Sequence, residues 1–182
     1  MNRTADARRS NRGFTLVELC AGIGICAALL GQALPAMSKL HQEQKLRAGA
    51  EALGTDLRFA RSEAARLGEP IFFRISGKGA GACYVLHTGA KNDCDCAGGQ
   101  AVCKAAGSEI IKAEWLPASQ PLQISSNTET LAFQHRQGLV AQMGSIELRL
   151  AGGPAIRQVV AITGRVRACA VGARMGQMPK CN

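Results

Sequence analysis

The feature that most constrains this chain is an apolar run from Phe14 to Leu34. It holds about 21 residues, and a helix of that length crosses the hydrocarbon core of a bilayer. Residues 1–13 contain four arginines and one aspartate, a net charge of +3. A basic segment before an apolar run predicts a membrane-spanning helix whose amino end stays in the cytoplasm. Helical periodicity continues past the run, so we expect it to be retained rather than removed as a secretory signal.

Glu18 is the unusual residue of this run, because a carboxylate inside a membrane costs several kcal/mol unless it is paired or near the headgroups. One interpretation is that Glu18 lies close enough to the interface to stay hydrated. The other requires a nearby cation. A cut between Gly13 and Phe14 creates an α-ammonium four residues before Glu18, and a neighbouring copy of the same helix supplies one as well.

The octapeptide Arg12–Leu19, with the sequence RGFTLVEL, resembles the class III signal of type IV pilins and type II secretion pseudopilins. The resemblance implies that a prepilin peptidase cuts after Gly13 and methylates the new amino-terminal residue, Phe14. It also implies that Glu18 pairs with the terminus of a neighbouring subunit during filament assembly, at an inner-membrane assembly platform.

Beyond the membrane segment, small and apolar residues recur every three or four positions from Leu46 to Leu67, which predicts one buried stripe on a continuing helix. Gly68 and Pro70 are expected to end it. Short β-rich segments separated by turn residues then predict strands. The predicted strands are Ile71–Ser76, Cys83–Thr88, Glu109–Trp115, Thr130–Gln134, Ser145–Leu150 and Ile156–Ile162.

An antiparallel sheet packed on the second half of the helix is the natural way to cover the stripe, which makes the fold class α+β. The resemblance implies that this architecture is the type IV pilin-like fold. We therefore expect a leader at residues 1–13, a transmembrane and filament-core half of the helix at 14–35, and an exposed helix half at 36–68. Residues 69–182 are expected to form a β-rich periplasmic domain with a basic carboxyl-terminal tail.

The order of these elements, with Gly164-Arg165-Val166-Arg167 placed at the end of the last predicted strand, resembles the FimT/GspH branch of minor pilins and pseudopilins. Some FimT-type minor pilins bind DNA through a carboxyl-terminal Gly-Arg-x-Arg during natural transformation. The matching positions in this chain are Arg165 and Arg167.

Eight cysteines are present. Cys20 and Cys26 lie in the apolar run and are expected to behave as small apolar residues. The other six predict three disulfides in an oxidising compartment, although six cysteines permit 15 pairings. Cys169 with Cys181 is favoured because it pins the tail, and Cys96 with Cys103 and Cys83 with Cys94 would account for the rest.

Metal binding is the alternative for Cys94, Cys96 and Cys103, with His87 as a fourth ligand. Their spacing differs from the paired cysteines of structural zinc sites, so disulfides are favoured and no metal or cofactor is expected. The histidines are scattered, and neither a nucleophile motif nor a phosphate-binding loop occurs. We therefore expect this chain to be no enzyme, but the substrate of prepilin peptidase.

The net charge of +9 is distributed unevenly. Removing the leader would leave +6, and residues 165–182 carry four cations without any acidic residue. Arg165 and Arg167 share one face of a strand, about 7 Å apart, which suits adjacent phosphates. A disulfide between Cys169 and Cys181 would hold Arg174 and Lys180 of the tail beside Arg165 and Arg167. A solvated basic strand end is the simpler interpretation.

Composition narrows the function further. A chain with 47% hydrophobic and 19% charged residues is not disordered, and with 4% aromatic residues it offers little surface for stacking bases. Any contact with double-stranded DNA should therefore be made to the backbone. The resemblance implies a FimT-like minor pilin of a type IV pilus, with other pilins as partners. The alternatives are a GspH-like pseudopilin of type II secretion and, less favoured, a DNA receptor not built into a filament.

Overall fold

A computed structural model describes residues 15–79, 81–172 and 175–181 of the chain. Two compact units are distinguished, residues 1–40 and residues 41–182. The predicted processing site, Gly13 and Phe14, and the predicted DNA-binding residue Arg174 lie outside the described residues.

Helix α1 runs from Leu16 to Leu67. Thr15 caps its start, because its side-chain oxygen accepts a hydrogen bond from the Glu18 N–H at 3.3 Å. Gly68 ends it in the left-handed conformation, φ +73°, and donates its N–H to the Ala64 carbonyl at 3.1 Å. By length and composition, α1 contains a segment apolar enough to cross a membrane.

The predicted stripe on α1 is buried between residues 46 and 64. Its members are Leu46, Ala50, Leu53, Leu57, Ala60 and Ala64, each at most 2% exposed. Leu67, which the prediction included, is 41% exposed because the helix ends there. The stripe belongs to a hydrophobic core that extends into both of the large sheets described next.

The strands that follow α1 are all antiparallel to their partners. Sheet 1 has the order β5-β2-β1-β7, sheet 2 has the order β10-β9-β8-β6, and β3 and β4 form a hairpin. The strands are β1 Ile71–Ser76, β2 Cys83–His87, β3 Cys94–Asp95, β4 Val102–Cys103, β5 Ile110–Trp115, β6 Leu122–Ser126, β7 Thr130–Phe133, β8 Gly144–Leu150, β9 Ala155–Val160 and β10 Val166–Val171.

The six predicted strands are present, with ends shifted by at most two residues. Four strands were not predicted: β3, β4, β6 and β10. The first two contain two residues each, too few to show any periodicity. Strand β10 contains two alanines among its six residues, and alanine has low β propensity. It contains Arg167 and begins directly after Arg165.

A close contact joins the helix to sheet 2. The buried side chain of Gln158 on β9 donates from Nε2 to the Ala50 carbonyl oxygen at 2.7 Å. Gly54 permits this approach, since a Cβ there would lie 3.0 Å from the same nitrogen. On the side of sheet 1, the buried carboxylate of Asp56 accepts hydrogen bonds from Tyr84 Oη and Lys112 Nζ, both at 2.7 Å. Burial and the bond to Asp56 raise the pKa of Tyr84.

The disulfides join Cys83 to Cys96, Cys94 to Cys103 and Cys169 to Cys181. The last of these is the pairing that the sequence favoured. The expected pairs Cys96–Cys103 and Cys83–Cys94 are wrong, because Cys94 and Cys103 face each other across the β3–β4 hairpin.

Asp95 positions Cys96 for the remaining disulfide, Cys83–Cys96. Its Oδ1 accepts hydrogen bonds from the Ser76 hydroxyl and the Cys96 N–H, both at 2.6 Å. This places Cys96 against the start of β2, where Cys83 is the first residue. We call residues 88–109 the stapled arm. Its buried cysteines pack on Val85 and so cover one face of sheet 1.

His87 is fully buried beneath this arm. Its ring stacks on Phe72 with centroids 5.4 Å apart, and Nδ1 donates to the Thr88 carbonyl oxygen at 2.8 Å. Nε2 has no hydrogen-bond partner in the described part of the chain. Burial lowers the pKa of His87, while the bond to Thr88 and the charge of Asp93 oppose that effect and Arg74 adds to it.

Burial of His87 predicts a loss of stability in mild acid. The pKa of His87 in the folded chain is lower than the usual value of 6.5, which it keeps in the unfolded chain. At pH values below about 6.5, the unfolded chain therefore binds a proton at His87 more readily than the folded chain does. We expect the free energy of unfolding, measured by urea titration of the full chain in detergent, to fall as the pH drops below about 6.5. His87→Gln should flatten this dependence and the exposed His41→Gln should retain it. An unchanged slope in His87→Gln would contradict the assignment.

Candidate nucleic-acid interface

The turn between β9 and β10 sets the position of the arginine pair. Gly164 donates its N–H to the Ala161 carbonyl at 2.8 Å, and Ala161 donates back to the Arg165 carbonyl at 3.0 Å. Gly164 is buried with φ +71°, and a Cβ there would collide with the Gly138 carbonyl oxygen. Only glycine fits this point, and Arg165 is therefore the first residue past a tight reversal.

Strand β10 begins immediately after Arg165. Arg165 and Arg167 are exposed, while Val166 and Ala168 pack against the core. The two guanidinium groups thus share one face, as the sequence indicated. Their expected place at the end of the last strand is wrong, because Gly164 reverses the chain and starts another strand.

The tail after β10 is held along the outer edge of sheet 2. Cys181 is bonded to Cys169. Ala170 donates its N–H to the Pro179 carbonyl at 2.8 Å and accepts from the Cys181 N–H at 3.0 Å. These bonds form a short parallel bridge between Ala170 and Lys180, which brings the exposed Lys180 beside the arginine strand.

A groove of about 500 Å³ lies on this face of sheet 2. We call it the basic groove, because its lining contains four cations and no carboxylate. The cations are Arg157, Arg165, Arg167 and Lys180. Sequence reasoning missed Arg157. The alternation of β9, with Ile156 and Gln158 buried and Arg157 and Val159 more exposed, is the signal that indicates its side.

Glu147 on β8 neutralises part of the positive charge of sheet 2. It accepts hydrogen bonds from Arg149 at 2.6 Å and Arg157 at 3.0 Å. Burial would raise the pKa of Glu147, but the hydrogen bonds and charges of the two arginines outweigh burial and lower it. Within the described ranges, Arg165, Arg167 and Lys180 form no ion pair. These three cations therefore supply the free positive charge of the groove.

The chemistry that this arrangement supports is anion binding. Arginine offers a planar fork of donors that matches phosphate oxygens. Within residues 15–79, 81–172 and 175–181, no group of three histidine, cysteine or acidic side chains is placed to hold a metal. Cys94, Cys96 and Cys103, the alternative zinc ligands, are disulfide-bonded and offer no thiolate. Arg174 lies outside the described residues, so its expected contribution stays a prediction.

Residues 49–164 match the family model of the type II transport protein GspH. The chain belongs to this family. Its members are structural pilins or pseudopilins, and assembly with other pilins in a filament follows from the family. The apolar part of α1 fits a single-pass anchor in the inner membrane. The matched segment ends at Gly164; Arg165 follows it directly, and Arg167 and Lys180 also lie beyond it.

Solved structures support the fold of this GspH-family chain. Two crystal structures of the type IV minor pilin FimU from Pseudomonas aeruginosa are similar to it, each at 15% sequence identity. One has a TM-score of 0.52 and covers 69% of this chain and 88% of its own. The other has a TM-score of 0.50 and covers 68% and 91%. No curated protein matches the chain significantly by sequence. The α+β pilin-like fold is thus confirmed.

Gly164→Ala is expected to destabilise the protein more than a glycine replacement in an open turn. The left-handed backbone alone costs about 1 kcal/mol, and the collision with the Gly138 carbonyl should bring the loss in unfolding free energy to roughly 2–4 kcal/mol. Gly152→Ala is the matched control, since Gly152 has φ +68° and open space around its Cβ position. Equal losses in the two variants, measured by urea denaturation, would contradict the steric account.

Proposed function

We propose that this GspH-family chain is a FimT-like minor pilin of a type IV pilus that binds double-stranded DNA in natural transformation. The basic groove supports the DNA-binding part of the proposal. Arg165, Arg167 and Lys180 are gathered in one lining, unpaired within the described residues and without a carboxylate beside them. The phosphate backbone of DNA is a regular polyanion that such a lining attracts.

The contacts of the basic groove favour the backbone over the bases. Arg165 and Arg167 alternate with the inward-facing Val166, so they are one strand repeat, about 7 Å, apart. That spacing suits neighbouring phosphates, each bound by one guanidinium fork. No aromatic side chain lines the groove, and binding should therefore be tolerant of sequence and steeply dependent on salt.

The amino-terminal region supports the filament part of the proposal. We infer that prepilin peptidase cuts after Gly13 and methylates Phe14, and that Glu18 pairs with the terminus of a neighbouring subunit. Glu18 is exposed in the first turn of α1 and lies in an apolar groove with Leu19 and Ile23. The inner-membrane assembly platform would then incorporate the subunit, with residues 69–182 on the periplasmic side.

A second candidate is a GspH-like minor pseudopilin of a type II secretion system. The description of the matched family favours it. In that case the neighbours in the filament are other pseudopilins and the basic groove faces a secreted protein or a neighbouring subunit. A DNA receptor that is not built into a filament is the remaining alternative.

Removing the arginine pair should weaken DNA binding. The experiment uses the full chain in a nonionic detergent and a labelled duplex, with affinity followed by fluorescence anisotropy across salt concentrations. We expect Arg165→Ala/Arg167→Ala to lower the affinity about tenfold or more at low salt. The slope of log affinity against log salt should decrease by about 2, because two phosphate contacts are lost.

The matched control is Lys91→Ala/Lys104→Ala, which removes two exposed cations of the stapled arm. It has the same net charge as the arginine variant, and its affinity should stay close to that of the wild type. No binding by the wild type at low salt, or equal losses in both double variants, would remove the DNA-binding hypothesis and leave the family's structural role.

Crosslinking in the native host should identify the neighbours of the filament helix. Cys20, an exposed residue of α1 two positions after Glu18, is a native handle for a bismaleimide reagent. We expect crosslinks to other pilins, and mass spectrometry of the purified chain should show methylated Phe14 as its first residue. Crosslinks to pseudopilins would favour the secretion role. A Cys20→Ser/Cys26→Ser variant controls for specificity, and an uncut chain without crosslinks would exclude filament assembly.

A further inference from the structure

A second cleft lies on the other side of Arg165. It has a volume of about 630 Å³. Its walls come from α1, from the loop after β7 and from the β9–β10 turn. We call it the helix cleft and define it by Arg58, Arg61 and Ser62 of the helix, His135 and Gly138 of the loop, and Arg165 of the turn.

The helix cleft is positively charged and its charge is not compensated. Three arginines and a histidine line it, and its lining contains no carboxylate. The carboxylates of the adjoining helix turns are engaged elsewhere. Asp56 binds Lys112 and Tyr84, and Glu63 binds Arg66 at 2.6 Å. No ion pair is formed by Arg58 or Arg61 within the described ranges.

The helix cleft and the basic groove adjoin at Arg165. Arg165 lines both of them. The side chain of Arg61 lies against the same turn: a Cβ on Gly138 would be 2.7 Å from Arg61 Nε, and one on Gly164 would be 3.0 Å from it. The two glycines therefore let the Arg61 guanidinium approach the backbone that carries Arg165. Cations from α1, the turn and β10 follow one another over the surface.

Arg58 and Arg61 also share one helix face with Ser62 and Ala65, since these positions are three, four and seven residues apart. That face is exposed. A path of arginines supplied by a rigid helix, a fixed turn and a strand suits a ligand with repeated charges. The phosphodiester backbone of duplex DNA is such a ligand, whereas an isolated phosphate would need only one of these clefts.

We propose that the helix cleft is a second phosphate-binding site, and that DNA held in the basic groove continues past Arg165 onto Arg58 and Arg61. This inference rests on the proposed DNA-binding function. The contact surface would then include α1 in addition to the carboxyl-terminal strand and tail. Arg165 would be the central contact shared by both parts.

The test compares four forms of the full chain in nonionic detergent: wild type, Arg58→Ala/Arg61→Ala, Arg165→Ala/Arg167→Ala and the control Lys91→Ala/Lys104→Ala. Affinity for a labelled duplex is measured by anisotropy across salt concentrations. We expect the helix variant to lose about tenfold in affinity at low salt. Its salt slope should fall by about 2, since each lost phosphate contact contributes roughly 0.9. The control should match the wild type.

Arg58→Glu alone controls for misfolding, because it leaves the contact of Arg61 with Gly138 and Gly164 in place and changes a residue that is exposed on the helix. Charge reversal at Arg58 should weaken DNA binding at least about tenfold while the thermal melting curve stays unchanged. Thermal melting of every variant shows whether the fold is retained.

Each outcome decides between the two proposals. If the wild type binds DNA and only the Arg165/Arg167 variant loses affinity, the helix cleft is not part of the site and this inference is overturned while the proposed function stands. If the wild type does not bind DNA at low salt, the proposed DNA-binding function is overturned and this inference is overturned with it. Unchanged DNA affinity in the helix variants, with a loss of crosslinking to other pilins, would assign the cleft to an acidic surface of a neighbouring subunit and overturn the inference.

Discussion

Burial of the helix stripe is the contact on which the rest of the described domain depends. The stripe residues between Leu46 and Ala64 contribute buried side chains to a core that both four-stranded sheets share. Because both sheets pack on one stripe, the helix fixes their positions. The hydrogen bond from Gln158 to the Ala50 carbonyl and the Asp56 cluster with Tyr84 and Lys112 anchor the helix to sheet 2 and sheet 1 respectively. This register brings Arg61 to the β9–β10 turn.

The two sheets use their outer faces differently. The stapled arm covers part of sheet 1 with the buried cysteines of two disulfides. Sheet 2 keeps a partly exposed outer face, on which β8 alternates buried apolar with half-buried polar residues. Arg157, Arg165 and Arg167 lie on this open face, and the tail adds Lys180. Charged side chains are tolerated there because the polar face of an antiparallel sheet leaves them in contact with water.

The candidate site begins within the segment that matches the family and extends beyond it. The match to the GspH family ends at Gly164, and the fold is shared with FimU at 15% identity. The scaffold therefore depends on burial and topology, which many sequences satisfy. The basic groove combines Arg157 and Val159 of β9, inside the matched segment, with an edge strand and a tail beyond it, where exposed side chains can vary without changing the core. The helix cleft joins the two, since Arg58 and Arg61 belong to the scaffold.

Local patterns in the sequence were sufficient to predict the helix with its buried stripe, six strands and the shared face of Arg165 and Arg167, whereas the processing site at Gly13 stays a prediction. Each of these is a property of a few neighbouring residues, because helix and strand periods repeat within one element. Only the tertiary structure decided the partners of Cys83 and Cys94, the existence of β10 as an edge strand, and the approach of Arg157 and Arg61 to the arginine pair. These depend on contacts between residues far apart in the chain, whose geometry is set by how the sheets pack on the helix.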